Sequence, residues 1–201
     1  MALFTSTRER RLWLWALVVV VAIYATLGPA VALAQALRER NLLWITVVLV
    51  LLLAVGIVAA QWRRRRPGPR EIGVALGIVA IYLMVMLRVQ IPEERTHLFE
   101  YGLLAVLIHQ ALLERFRTRR PLLIAAVLAV AITALLGWLD EGIQVLLPNR
   151  VYDLRDVAFN ALAGLMAVVA SVAVMGARRW GRRARAGRQT ARGNECRRPD
   201  R

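Results

Sequence analysis

The sequence predicts an all-α polytopic membrane protein, a helix bundle with about six transmembrane helices. Three observations carry this. Of 201 residues, 59% are hydrophobic and mean hydropathy is +0.53, above the roughly half apolar share of a soluble domain. Six stretches approach the ~20 apolar residues that a helix needs to cross the ~30 Å hydrocarbon layer. No stretch alternates apolar and polar residues over its whole length, which argues against a transmembrane β-barrel.

The first span is expected over residues 12–36. Gly28-Pro29 inside it marks a kink or an early helix end, because Pro lacks an amide donor and clashes with the preceding turn. The basic start, the apolar run 12–27 and Ala32-Leu33-Ala34 also have the form of a cleavable signal peptide. That run exceeds the usual apolar length of about 7–15 residues, so a retained helix is expected. The second span covers 42–62. Arg63 to Arg66, Pro67, Gly68, Pro69 and Arg70 make a basic, proline-broken linker over 63–71, between an N-terminal two-helix unit (1–62) and a four-helix core (72–177). The core spans are 72–91, 96–113, 122–147 and 156–176. From 178 to 201 the chain is mostly Arg, Ala and Gly with few apolar anchors, so a disordered basic tail is expected. Near a bilayer such a tail attracts anionic lipid at ~1 kcal/mol per Arg. The single cysteine, Cys196, lies there with no partner for an internal disulfide.

All 28 basic residues are Arg, and their placement orients the chain, since Lys and Arg accumulate in short cytoplasmic loops. With the N-terminus inside, 22 of the 28 fall on inside segments. Trp13, Trp15, Trp62 and Trp180 then lie at the inner interface, with Trp44 and Trp138 toward the outer one. Both termini are expected in the cytoplasm. The net charge of +15 follows from this bias, so the expected partner is the bilayer and not a nucleic acid.

Ionisable and amide groups are expensive inside a bilayer, so a set recurring at one depth reads as a site. From 122 to 140 is 18 helical steps, about 27 Å, which puts Asp140 and Glu141 at the outer boundary. From 97 to 113 is 16 steps, about 24 Å, so His97 shares that level, and Asn160 lies roughly 6 Å below Asp156. Spacing of three or four residues aligns His97 with Glu100 and Tyr101, and Asp140 and Glu141 with Gln144. Asp153, Asp156, Asn160 and Gly164 form one further stripe. Arg150 is the natural partner of the acids, being permanently charged and able to grip a carboxylate with two hydrogen bonds. These ten, His97, Glu100, Tyr101, Asp140, Glu141, Gln144, Arg150, Asp153, Asp156 and Asn160, are the expected outward-facing polar pocket. Plainer roles compete with it. Asp153 and Asp156 suit a helix N-terminus, Glu93 and Glu94 a solvated loop, Tyr101 an interface, and His109 an interhelical hydrogen bond, with a proton relay as its alternative.

The run Glu93-Glu94-Arg95-Thr96-His97-Leu98-Phe99-Glu100-Tyr101-Gly102, then Asp140-Glu141 with Gln144, then Pro148-Asn149-Arg150 with Asp153, Asp156, Asn160 and Gly164, resembles the VanZ-like family of bacterial membrane proteins. The likeness covers 72–176, and three ordered motifs are more specific than any one of them. The acidic-basic pair often found ahead of the family's His is Glu93-Glu94 here, with Arg95 one position later, so no role is carried onto these three. The first two helices lie outside the family core. The resemblance implies a four-helix core in the bacterial cytoplasmic membrane and an association with resistance to the glycopeptide teicoplanin, without a defined biochemical activity. The leading expectation is therefore a non-catalytic or weakly characterised envelope protein, acting on glycopeptide susceptibility or envelope chemistry, with no cofactor unless a divalent cation. One alternative is a membrane-embedded enzyme in which His97, Glu100, Glu141, Asp153 and Asp156 hold a divalent cation or supply a base against a lipid-linked substrate. The other is a small ion-coupled transporter. Against it, no internal repeat is visible and the polar groups stop at the outer level.

Overall fold

Three helices open on proline, which costs least at the first helical position, where its missing donor goes unused and its fixed φ already suits the helix. They are α2, Pro69–Arg88; α3, Pro92–Arg115; and α4, Pro121–Gln144. Before them comes α1, Thr7–Thr26, and after them α5, Leu154–Glu195. The computed structural model describes residues 4–26, 68–88, 92–116, 121–146 and 152–195, with 36, 39, 40 and 45 besides. Among the described residues all regular structure is helical. The two described helices without an opening proline are capped by side chains. Ser6 Oγ accepts from the Glu9 amide at 3.0 Å, and Asp153 Oδ1 accepts from the Arg155 amide at 2.8 Å.

The central helix is α3, which packs against α1, α4 and α5, while α5 also packs against α2 and α4. Pairs between helix ends fix the directions. Arg115 late in α3 meets Glu9 early in α1, Arg178 of α5 meets Glu71 early in α2, and Tyr24 late in α1 reaches Leu136 late in α4. Hence α3 and α5 run opposite to α1, α2 and α4, and the bundle has a Glu9 end and an Asp140 end.

Small residues set how closely the helices approach. Ala125, Ala129, Thr133, Gly137 and Glu141 recur every fourth position on α4 and are all buried. A Cβ on Gly137 would stand 2.6 Å from the Asn160 Cβ, and one on Gly164 would stand 3.0 Å from Thr133 Cγ2. The outward faces are apolar instead: Leu76, Val79, Leu83 and Met84 on α2, Val127, Leu135 and Trp138 on α4, Leu162, Leu165 and Val169 on α5.

Among the described residues two helices are long and apolar enough to cross a membrane, Leu122–Gln144 and Leu154–Gly181. Of the other expected spans, 42–62 lies almost wholly outside the described residues. Both α1 and α3 carry ionisable residues within the helix itself: Arg8, Glu9, Arg10 and Arg11 in one, Glu93, Glu94, Arg95 and Glu100 in the other. The helix α3 opens at Pro92, ahead of the expected 96, because a proline at the first helical position gives up no hydrogen bond.

Two expectations change. The tail expected to be disordered from Arg178 continues α5 as helix to Glu195. Ala, Arg and Gln propagate a helix well, and the first turn of this extension is tied to α2. The Arg178 guanidinium donates to Glu71 at 3.3 Å, and the Arg70 guanidinium lies 4.0 Å from the centre of a Trp180 ring. Of the expected linker 63–71, residues 69–71 already belong to α2 and 63–67 lie outside the described residues, while α1 packs along α3 and buries Ala16 and Ile23. Cys196 lies outside the described residues.

Candidate functional site

The fourth-residue stripe of α4 turns its last members, Asp140, Glu141 and Gln144, into the bundle, where all three are buried. Glu141 accepts from the Gln144 amide at 3.3 Å and from the Asp153 backbone N–H at 3.5 Å, which ties the start of α5 to the end of α4. Asp140 interacts electrostatically with Tyr101 of α3 and Tyr24 of α1. The Tyr24 hydroxyl donates to the Leu136 carbonyl at 2.8 Å, one turn before Asp140. Tyr101 and Asn160 are fully buried, the latter seated against Gly137. Four helices thus deliver carboxylates, amides and phenols to one end of the bundle.

Six of the ten expected pocket residues join this cluster. Tyr101, Asp140, Glu141, Gln144 and Asn160 are buried in it, and half-buried Glu100 interacts electrostatically with Tyr101. Asp153 does not contribute its carboxylate. That group is exposed and caps α5, so only its backbone N–H reaches Glu141. Asp156 sits half-buried in the first turn of α5. His97 is within α3, but its side chain lies outside the described residues, as does the whole of Arg150. Tyr24 was not expected. Its only signal in sequence is a hydroxyl-bearing ring deep in an otherwise apolar segment, a pattern shared with interface aromatics.

The polar groups do not stop at this level. Thr133 is fully buried midway along α4, and the His109 Nδ1 lies 3.2 Å from the Ser171 hydroxyl on α5, the interhelical hydrogen bond expected of that histidine. At the Glu9 end a second cluster forms. Glu9 is fully buried and accepts from the Thr5 amide and hydroxyl, both at 2.6 Å, and from the Arg115 guanidinium at 3.1 Å. The Ser6 hydroxyl donates to Glu114 at 3.3 Å, and Arg8 stands 3.7 Å from the same carboxylate. Burial pushes the Glu9 carboxyl up, but the Thr5 hydrogen bonds and the Arg115 charge outweigh it and hold the group below its ordinary value. The pair Ser6-x-x-Glu9 has the form of a capping box, so this cluster had a sequence signal that went unread.

The two ends differ chemically. At the Glu9 end the carboxylates meet Arg guanidinium groups; at the Asp140 end Glu141 meets an amide and a backbone N–H, and Asp140 meets phenols. Among the described residues no group of three His, Cys, Asp or Glu side chains is placed to hold a metal ion. No protein-family model, no curated protein and no solved structure matches this chain.

Proposed function

We propose that this chain is a multi-pass protein of the bacterial cytoplasmic membrane, VanZ-like in its core, acting in the cell envelope through the polar cluster at the Asp140 end. Six spans with both termini in the cytoplasm put that cluster on the outer side, where wall precursors and glycopeptides meet the membrane. One observation carries the membrane part. The bundle buries Asp140, Glu141, Gln144 and Asn160 and exposes Leu, Val, Met and Trp, the reverse of a soluble protein. Lipid accepts such a surface, whereas water penalises it by ~25 cal/mol per Å² of apolar area.

The envelope part is supported by what the cluster offers. Carboxylates, amides and phenols supply donors and acceptors to a peptide- or sugar-bearing group at the outer face, and a buried polar set holds its geometry when fully partnered. Teicoplanin susceptibility is the activity to measure. Cells making the wild-type chain are expected to tolerate more of the glycopeptide than cells without it, and Glu141→Gln and Asp140→Asn to remove the difference while the protein stays in the membrane. A wild-type chain that leaves susceptibility unchanged sinks the glycopeptide reading, and reporter fusions at Pro67 and Asn149 that report the same side sink the orientation.

A further inference from the structure

The interior polar residues fall on levels along the bundle. Tyr101, Asp140 and Asn160 make the level at the Asp140 end, all fully buried. Seven residues back along α4, about 10 Å, the Thr133 hydroxyl is buried with no hydrogen-bond partner from the protein. A Cβ on Gly164 would meet both Thr133 and Ala105, which places this level beside Ala105 of α3. One turn further along α3, about 6 Å, lies His109, fully buried. Its Nδ1 engages Ser171 while its Nε2 has no protein partner. Six residues on, about 9 Å, Arg115 meets Glu9 at the far end.

The two unpartnered atoms decide what this column does. A buried polar atom without a partner costs roughly 1–3 kcal/mol, and lipid offers no hydrogen bond in exchange. A neutral imidazole has one N–H and one lone pair, so whichever of them faces Ser171, the other is left at Nε2. A water molecule would supply the missing partner there, and another would do so for the Thr133 hydroxyl on the neighbouring level. Buried waters occupy polar interior sites of this kind.

On the reading that the bundle crosses a membrane, we propose that its interior is a hydrated proton pathway from the Asp140 cluster to the Glu9 end, with His109 as the central carrier. An excess proton carried by the water as hydronium binds the free Nε2 of the neutral ring, leaving a water molecule and forming imidazolium. The Nδ1 proton then passes to the Ser171 hydroxyl, which releases its own proton to water on the far side. The ring is neutral again as the other tautomer, and a turn of the ring that exchanges its two nitrogens restores the start, with one proton taken up and one released and nothing oxidised or consumed. Imidazole suits the step because either ring nitrogen can hold the transferred proton, one as donor and the other as acceptor. Ser171 and Thr133 position the water chain on either level.

The test uses the full chain reconstituted into phosphatidylethanolamine–phosphatidylglycerol vesicles that enclose a pH-sensitive dye, with a potassium gradient and valinomycin as driving force. Flotation of the vesicles on a density gradient reports insertion independently. The chain is expected to acidify the lumen faster than protein-free vesicles do. His109→Gln is expected to lower that rate about tenfold or more, since a positioned proton-transfer group is removed. Thr133→Val lowers it severalfold, and Leu103→Ala on the exposed face of α3 leaves it unchanged. Should His109→Gln fail to insert, Thr133→Val decides. A chain that floats with the vesicles but carries protons no faster than protein-free vesicles overturns the pathway and leaves the membrane reading standing. A wild-type rate in Thr133→Val, or in an inserted His109→Gln, does the same. A chain that does not float overturns both.

Discussion

Gly137 of α4 and Asn160 of α5 stand in direct contact, so close that a Cβ on the glycine would lie 2.6 Å from the Cβ of the asparagine. The obstacle is the root of a side chain on a packed helix and cannot swing aside as a flexible tip would. Because Asn160 shares its level with Asp140 and Tyr101, this one contact sets how tightly the polar cluster closes.

Gly137→Ala is therefore expected to destabilise the bundle by about 1–3 kcal/mol, the usual cost of an added methyl in a filled interior. Gly142→Ala on the same helix meets nothing within 4 Å and serves as the control, expected to be neutral or to stabilise by up to ~1 kcal/mol through helix propensity. Unfolding of the purified chain in mixed detergent measures both. Equal stability in the two variants would refute the close approach.

Arg115→Ala removes the cation from buried Glu9 and leaves it only the two Thr5 hydrogen bonds. The expected loss is roughly 1.5–3 kcal/mol, that of a hydrogen bond to a charged group, and less than the ~3–5 kcal/mol for a buried charge left wholly unpaired. Glu9→Ala costs less than Arg115→Ala, because Arg115 is 45% exposed and turns to water.

The same carboxyl gives a pH dependence. Glu9 precedes the first span and titrates below its ordinary value of 4.5 when folded. A depressed folded pKa means its contribution is fully present above about pH 4.5 and is lost as pH falls through the lower folded value. Unfolding measured from pH 7 down to pH 3 should show that loss in the wild type. Glu9→Gln should flatten it, and an unaltered acid limb in that variant would show that other groups are responsible.

Asp153 separates capping from chemistry. Asp153→Ala is expected to cost about 1 kcal/mol at the start of α5, and Asp153→Ser to recover most of it, because a serine hydroxyl also accepts from the Arg155 amide. The envelope phenotype should survive Asp153→Ser, since only the backbone N–H of this residue touches Glu141. Loss of the phenotype in a stable Asp153→Ser protein would return the carboxylate to the site.

Much of the cluster was legible in the chain because helical period and depth are properties of sequence. A rise of 1.5 Å per residue put Asp140, Glu141 and Asn160 near one outer level, a spacing of three to four residues put Gln144 on the face of the two acids, and all four are buried. The role of Asp153 hung on whether its side chain or its amide turned inward, which is a matter of local geometry at a helix start and not of spacing. The basic segment after Arg178 was misread because composition weighs how much apolar surface it can bury, whereas a helix already nucleated by a packed span propagates at little cost.

By itself the sequence determined the helical class and the level of the acids, since each follows from local covalent geometry and the periodicity of apolar side chains. Only the tertiary structure decided that Tyr24 reaches the Leu136 carbonyl one turn from Asp140, that Glu9 meets Arg115 across 106 positions, and that Thr133 and His109 continue the polar column inward. Those relations depend on the rotation of each helix about its own axis and on how near its neighbour stands. Contacts such as Gly137 with Asn160 and Gly164 with Thr133 fix both, and residues so far apart in the chain leave no local trace of them.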